Sequence, residues 1–519
     1  MNKIHLRVFS HNYCVRIHKS NKIAQAVLNK FSYIFNEYEW NKTGGSWIKE
    51  FARRYCVVPN EHIDDDHLEY RFHINTIDYF RKILTKENLN DKVDCIIEPL
   101  YESHIVKIRI KKDFKPFEEQ VPIYEQLVNP KPNIKMLGLQ TGKGKSALSI
   151  FAASHYGLMT VLIMKPGYID KWVEDINKQC IVKDGDILTI IGSKELMYMV
   201  NTISDNKNKP QFVLISNATL RNWLKAQEEI GPNELVPGYP CHPWELCQHC
   251  GFGFRIIDEV HQDFHANFRF DLYTHIEQSL SLSATLITNN TFHERMYNLA
   301  YPDTSKIKIP EHNKYIRSIA WFYSVKKPDY LRTTEYGRDG YSHTAFEKSI
   351  FKFVPLQKDY LDMTYQVMRK TYLIHRKPKE KCLIYFSTVK ACELATNYYR
   401  KKMPELKITK FNQGDSLEDA LKSDIIVATL MKAGTAIDIP NLTTVILTIA
   451  IDSIQSNLQS MGRLRDLKKL YDSDRIPDFV YFVCNDVKKH WNYHKSKEQI
   501  LKEKARLMTE MNHTHALGK

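Results

Sequence analysis

Residues 137–146 read Leu137-Gly138-Leu139-Gln140-Thr141-Gly142-Lys143-Gly144-Lys145-Ser146, and their reading decides the fold. An apolar lead-in ends in a glycine-rich turn that runs directly into Ala147–Ala153, a stretch of helical character. Backbone N–H groups in such a loop wrap a polyphosphate, and the positive end of the following helix adds to the attraction. In this pattern Lys145 sits on the β- and γ-phosphates and the Ser146 hydroxyl on Mg²⁺, with Thr141, Gly142, Lys143 and Gly144 as the cradle. The usual early glycine is absent, because Leu139 stands five positions before Gly144.

Around this loop the chain alternates buried-strand candidates with helical segments. Val161–Met164, Ile187–Ile191, Phe212–Ile215, Phe254–Ile257 and Ser279–Leu282 form one series. A second begins near Ile316 and continues through Cys382–Phe386, Ile408–Phe411, Ile425–Ala428, Val445–Thr448 and Phe479–Val483. Such alternation predicts parallel sheets covered by helices on both faces. The expected order is an N-terminal accessory, nucleic-acid-binding α+β domain over 1–112, α/β domains over 113–308 and 309–487, and a basic C-terminal tail or helix over 488–519. Within the first region Ala24–Tyr38 has helical spacing and Cys95–Ile110 alternates like strands.

Downstream of the loop, Arg255-Ile256-Ile257-Asp258-Glu259-Val260-His261 is a strand ending in two adjacent carboxylates. A Mg-nucleotide hydrolase needs this arrangement: Asp258 holds the metal, with Ser146, and Glu259 polarises the attacking water. About 25 residues on, Ser283-Ala284-Thr285 supplies small hydroxyl groups that can sense the carboxylate pair. The second α/β series carries Ser387 after a strand, Ala428-Thr429, the tight loop Gly434-Thr435-Ala436-Ile437-Asp438-Ile439-Pro440, and Gln459-Ser460-Met461-Gly462-Arg463-Leu464-Arg465. A guanidinium in such a position neutralises charge on a transferring γ-phosphoryl.

Taken in order over residues 114–487, these motifs resemble helicase superfamily 2, in its DExH form. Motif I matches Thr141–Ser146, motif II Asp258–His261, motif III Ser283–Thr285, motif IV Tyr385–Ser387, motif V Gly434–Pro440 and motif VI Gln459–Arg465. Motif Ia matches Met164-Lys165-Pro166, followed by a Trp172 found in many members, and Ile215–Thr219 falls where a DNA-contacting loop lies. The resemblance implies two tandem RecA-like motor domains that hydrolyse ATP with Mg²⁺ in the interdomain cleft. It implies Lys145, Asp258, Glu259, Gln459, Arg463 and Arg465 as the catalytic set, with Gly434 and Asp438 beside the nucleotide. It further implies Lys165, Pro166, Ser216, Asn217, Ser387 and Thr429 on nucleic acid. Lys115-Pro116-Phe117-Glu118-Glu119-Gln120 resembles the element that reads adenine, through Gln120 with Phe117 nearby. Two departures stand out: Ala436 replaces a usual glycine, and Leu464 alone separates the arginines, so the finger is read as Arg465 with Arg463 supporting, or the reverse. In layout the chain resembles bacteriophage and large-virus DNA helicases that migrate branches and remodel forks during replication, recombination and repair. The alternatives are an RNA helicase or viral transcript-release ATPase, or a nucleic-acid-binding scaffold with a vestigial motor.

Composition fits a polyanionic partner that presents stacking bases: net charge +14, pI ≈ 9.0, with 24 Phe and 29 Tyr among 519 residues. Residues 1–60 carry 10 Lys/Arg against 3 Asp/Glu, and 488–519 carry 8 against 3. No signal-peptide core and no run of 18 apolar residues are visible, so the expectation is an intracellular protein, in a host cytoplasm if viral, with reduced thiols. Cys241-His242 and Cys247-Gln248-His249-Cys250 give a possible zinc set, Cys241, Cys247 and Cys250, against the alternative of a loop with incidental thiols. Lys488–Arg506, with Trp491 and Tyr493, reads as a helix along a phosphate backbone or as a solvated terminal helix, and Tyr330–Tyr341 as a surface loop.

Overall fold

The computed structural model describes residues 3–43, 46–59, 66–139, 143–231, 233–283, 290–309, 314–335, 340–412, 414–430, 439–453, 457, 460–467, 475–502 and 505–518. The chain divides into two compact units, one holding residues up to 310 apart from 140–143, the other holding that short stretch and 311–519.

In the first unit, β1 (Ile4–Val8), β2 (Asn12–His18), β5 (His67–His73) and β6 (Val93–Ile97) form a four-stranded sheet in the order β5-β2-β1-β6. Strand β2 runs antiparallel to both neighbours, and β6 is parallel to β1. Between them β3 (Asn36–Thr43) and β4 (Ser46–Arg54) make a separate antiparallel hairpin. This hairpin corrects the helical reading of Ala24–Tyr38. The helix covers Lys22–Ser32, and from Asn36 the backbone exchanges helical bonds for ladder bonds to β4. Within Cys95–Ile110 the strand pairing consists of β6, an isolated antiparallel bridge from Ile105 to Leu158, and the two residues of β7 (Arg109–Ile110), which pairs with β10 (Cys180–Ile181).

A six-stranded sheet completes this unit: β8 (Ile134–Leu137), β9 (Thr160–Met164), β11 (Ile187–Ile190), β12 (Phe212–Ser216), β13 (Phe254–Ile257) and β14 (Gln278–Leu282). The order is β11-β12-β9-β13-β14-β8, all parallel. Strands β8, β9, β12, β13 and β14 are buried along their whole length, and β9 and β12 accordingly read as near-continuous apolar runs, whereas Lys135, Arg255 and the serines of β14 interrupt the others. The N-terminal sheet and this one share a core, in which Tyr55 packs against Phe264, Phe268 and Phe292. Asn12 Nδ2 donates to the carbonyls of Asp271 and Thr274 at 3.1 and 3.0 Å.

The second unit is built on seven parallel strands: β15 (Ile316–Tyr323), β16 (Lys381–Phe386), β17 (Ile408–Phe411), β18 (Ile425–Thr429), β19 (Leu442–Leu447), β20 (Asp478–Cys484) and β21 (Ala505–Asn512). Their order is β17-β18-β16-β19-β20-β15-β21. The expected architecture is therefore the observed one: α/β, two tandem parallel-sheet units, with an α+β region ahead of the first. The C-terminal segment is a helix over Lys488–Lys502 followed by β21 at the sheet edge. It is not simply a solvated helix, because His490 and Lys497 are buried and Trp491 packs 5.1 Å from Phe322. Lys497 Nζ lies 4.6 Å over the Tyr481 ring, and burial pushes its amine down to about 7. Among the described residues no helix is long and apolar enough to cross a membrane.

Candidate nucleotide-binding site

Parallel α/β sheets bind ligands at the carboxyl ends of their strands, and in the first unit Lys145, Asp258, Glu259 and Ser283 lie at that end of the sheet. The loop after β8 leads to Gly144, whose φ of +87° only glycine adopts without strain, and then to the helix Lys145–Tyr156, which Gly157 closes. A Cβ on Gly144 would lie 2.3 Å from Gln120 Nε2. Gln120 thus lies against Gly144, and its Oε1 accepts from the Phe117 amide at 3.0 Å. Phe117 itself is exposed.

Strand β14 lies between β8 and β13, which brings Ser283 next to the two carboxylates. Lys145 Nζ is 3.0 Å from Glu259 Oε1, with both side chains largely buried. Glu259 has φ +48°, a left-handed conformation that costs a non-glycine residue about 1–3 kcal/mol and that marks active sites when the surroundings enforce it. Asp258 Oδ2 accepts from Trp172 Nε1 at 2.9 Å. Burial pushes the Asp258 carboxyl up, Lys145 and the Trp172 hydrogen bond pull it back, and Glu259 pushes it further up. His261 Nδ1 is 2.7 Å from Ser283 Oγ and 3.4 Å from Glu259 Oε2, and burial pushes its imidazole down to about 4. The four groups thus form one network of two buried carboxylates, a lysine and a neutral histidine.

Other predicted residues occupy strand ends within each unit taken by itself. Lys165 and Pro166 follow β9 and are exposed; Ser216 ends β12 and is buried. Asn217 opens the next helix and donates to Asp263 at 3.4 Å. In the second unit Thr429 ends β18 and its amide donates to Asn412 Oδ1 at 3.1 Å. Ser387 follows β16, its hydroxyl 2.8 Å from Thr344 Oγ1. Arg463 is buried and hydrogen-bonded to the Tyr385 hydroxyl, whereas half-buried Arg465 turns its guanidinium onto the Gly462 and Leu464 carbonyls. Lys143 and Ser146 flank Gly144 and Lys145 and are half-buried. Thr141, Gly142, Ala284, Thr285, Gly434, Asp438 and Gln459 lie outside the described residues.

Two functional contacts escaped the sequence reading. Trp172 was visible as a residue, but its bond to Asp258 spans 86 positions. Glu347 carries no sequence signal at all, yet it accepts from the Ser387 amide at 2.7 Å and from the Thr388 amide and hydroxyl at 2.8 and 2.7 Å. Burial nevertheless pushes its carboxyl up to about 7, against the pull of those bonds.

The zinc reading finds no support in the described side chains. Cys241 and Cys250 are buried, Cys250 Sγ points at Met199 Sδ 3.9 Å away, and His249 Nε2 is bonded to the Val200 carbonyl oxygen at 2.9 Å. His242 stacks on Trp244 with centroids 4.5 Å apart. Burial pushes the thiols of Cys241 and Cys247 up to about 12 and about 11. Among the described residues no three His, Cys, Asp or Glu side chains are grouped to hold a metal ion.

The described residues thus set a lysine, two adjacent carboxylates and a neutral histidine at the carboxyl end of a parallel α/β sheet. No family model and no curated protein matches the chain. Among solved structures it is similar to T4 UvsW, at 14% identity and TM-score 0.33, covering 98% of this chain and 99% of that one. It is also similar to S. cerevisiae Dbp5 bound to RNA and ADP BeF3, at 14% identity and TM-score 0.44, covering 75% and 89%. A third similarity is to the Pyrococcus furiosus Hef helicase domain, at 12% identity and TM-score 0.41, covering 73% and 97%.

Proposed function

We propose that the chain is an ATP-dependent DNA helicase or translocase, coupling hydrolysis to movement along DNA and to remodelling of forks or branched junctions. The observation that carries this reading is the Lys145–Glu259 ion pair set beside Asp258, at the ends of β8 and β13. A polyphosphate held by the Lys143–Ser146 loop becomes the counter-charge of Lys145 and leaves Glu259 to polarise water. The Trp172 hydrogen bond favours the ionised form of Asp258 against the burial that raises its carboxyl, and the neutral His261 reports the state of Glu259 to Ser283. The donor set suits a hard cation: Ser146 and Asp258 would hold Mg²⁺, which when bound offsets phosphate charge. Gln120 and Phe117 read the adenine, while Thr141, Gly142, Gly434, Asp438 and Gln459 complete the nucleotide contacts. Arg463 and Arg465 supply positive charge for the transferring phosphoryl, with Arg465 as the finger. Lys165, Pro166, Ser216 and Asn217 in one unit and Ser387 and Thr429 in the other grip backbone phosphates, so sequence specificity is low and salt sensitivity high.

The test compares ATP hydrolysis and strand displacement on forks, Holliday junctions, simple duplexes and RNA hybrids. Forked or branched DNA should stimulate turnover most, and Lys145→Ala should abolish turnover while keeping the thermal transition. Near-normal hydrolysis in Lys145→Ala, or equal rates with and without nucleic acid, removes the proposal; stronger stimulation by RNA reassigns the track.

A further inference from the structure

On the second unit a cavity of about 500 Å³ lies beside a stacked aromatic pair that none of the motifs above uses. Tyr330, on a short turn at Pro328–Tyr330, and Phe353, after the helix His343–Lys352, stack with centroids 5.2 Å apart and an interplanar angle of 28°. Both stay accessible, at 50% and 36% exposure, and the adjoining Val354 is 73% exposed. Apolar rings of this size normally find cover in a core. Cations surround them instead. Lys327 Nζ lies 5.6 Å from the Tyr330 centroid and Lys352 Nζ 5.8 Å from that of Phe353. Arg332 and Lys348 line the same cavity. Among the described residues none of these four cations makes an ion pair. The nearby carboxylates are Asp329 and Glu335, and Glu335 accepts from the Ser342 hydroxyl at 3.0 Å.

We propose that this aromatic and basic patch is a binding platform for single-stranded nucleic acid, holding an unstacked base on the Tyr330–Phe353 pair and neighbouring phosphates on Lys327, Arg332, Lys348 and Lys352. The inference rests on the nucleic-acid reading above and extends it to a site outside the predicted motifs. A polyanion with planar bases satisfies both halves of the patch at once, since each base presents a π-face and each linkage a phosphate. An apolar protein surface would cover the rings only by desolvating unpaired cations, which is costly. A duplex keeps its base faces stacked inside and offers the rings nothing. The platform is also tied to the predicted grip at Ser387. Lys348 and Lys352 stand on the helix whose Glu347 and Thr344 bond the Ser387 turn. A strand held here therefore loads the element that positions Ser387.

The experiment measures fluorescence anisotropy of the full chain with labelled oligothymidylate, its abasic counterpart and a blunt duplex, over a range of salt. Tyr330→Ala and Phe353→Ala should each weaken oligothymidylate binding about tenfold and leave the abasic strand unchanged. Lys348→Ala with Lys352→Ala should lower the salt slope by about 0.7 per lost contact. Turnover of ATP without nucleic acid should stay at the wild-type rate in all of them, which also reports a folded chain. Wild-type affinity in the variants, or an equal loss on the abasic strand, overturns the platform while the motor reading stands. Altered sedimentation of the aromatic variants assigns the patch to a second copy of the chain and likewise overturns it. A wild-type chain that binds none of the probes overturns both readings.

Discussion

Trp172 shows how a residue readable in sequence can hide its role. Its indole is buried and its N–H is committed to Asp258 Oδ2 at 2.9 Å. A hydrogen bond to a charged group contributes about 1.5–3 kcal/mol, so the indole holds down the pKa of a carboxyl that burial drives up. Replacing Trp172 by Phe keeps an aromatic ring in the core and removes only the donor. We expect Trp172→Phe to lower ATP turnover about tenfold at neutral pH and to move the acid limb of the pH–rate profile upward, because Asp258 then takes a proton at higher pH. An unmoved acid limb would separate Trp172 from the chemistry. The motifs holding Lys145 and the carboxylate pair were legible because each is contiguous, and the 3.0 Å contact of Lys145 with Glu259 shows that they meet. The bonds Trp172–Asp258 and His261–Ser283 were not, since each joins elements that only the sheet order makes neighbours.

At the scale of the element, β13 breaks the rule that made the strands readable. Its four residues are all buried, yet one is Arg255, 2% exposed. The guanidinium is ion-paired to Asp271 and donates to Thr274 Oγ1 at 3.0 Å and Ser279 Oγ at 3.2 and 3.1 Å. Asp271 and Thr274 are also the residues whose carbonyls accept from Asn12, so one buried cluster holds β13, β14 and the N-terminal sheet together. Removing one partner of such a pair costs about 3–5 kcal/mol, because the other stays buried and charged. Arg255→Met should therefore destabilise the first unit by about that amount in urea unfolding, and adding Asp271→Leu should recover most of it. A double variant no more stable than the single would show that the cluster's hydrogen bonds, rather than the uncompensated charge, carry the cost. Apolar runs made nearly every strand of the two large sheets legible, whereas β21 was not. Its Ala-Arg-Leu-Met-Thr-Glu-Met-Asn sequence lacks an apolar run, and its residues are mostly exposed or half-buried at the sheet edge. Its place is set by pairing with β15, nearly two hundred positions earlier.

Across the whole molecule, the tandem α/β series was legible, but the way the N-terminal region joins the first unit was not, because it depends on pairs such as Asn12 with Asp271 that lie 259 positions apart. In both units burial has set histidines and carboxyls in opposite directions, with Asp258 and Asp263 raised in the first and Glu347 in the second. In the first, burial pushes His73, His261 and His265 down to about 4 and His11 well below its ordinary value. In the second, His490 is pushed down to about 3 and His343 well below normal, but Glu347 is pushed up to about 7. A histidine with a depressed folded pKa binds fewer protons in the folded than in the unfolded chain between that value and about 6.5. Its contribution is complete above about pH 6.5 and is lost as pH falls toward 4. Glu347 has the opposite sign: between about 4.5 and 7 its folded form holds the extra proton, so acidification stabilises. One buried histidine loses about 2 kcal/mol by pH 5, and in the second unit Glu347 returns a similar amount. With His490 and His343 both depressed against one raised Glu347, the second unit should lose stability in acid, and Glu347 should limit the loss. Urea titrations at pH 7 and pH 5, followed by hydrogen exchange resolved along the chain, should show the transition of residues 311–519 moving to lower urea. Glu347→Gln should remove the compensation and enlarge that shift by about 2 kcal/mol. A second unit indifferent to Glu347→Gln would mean that this buried carboxyl does not control the pH response.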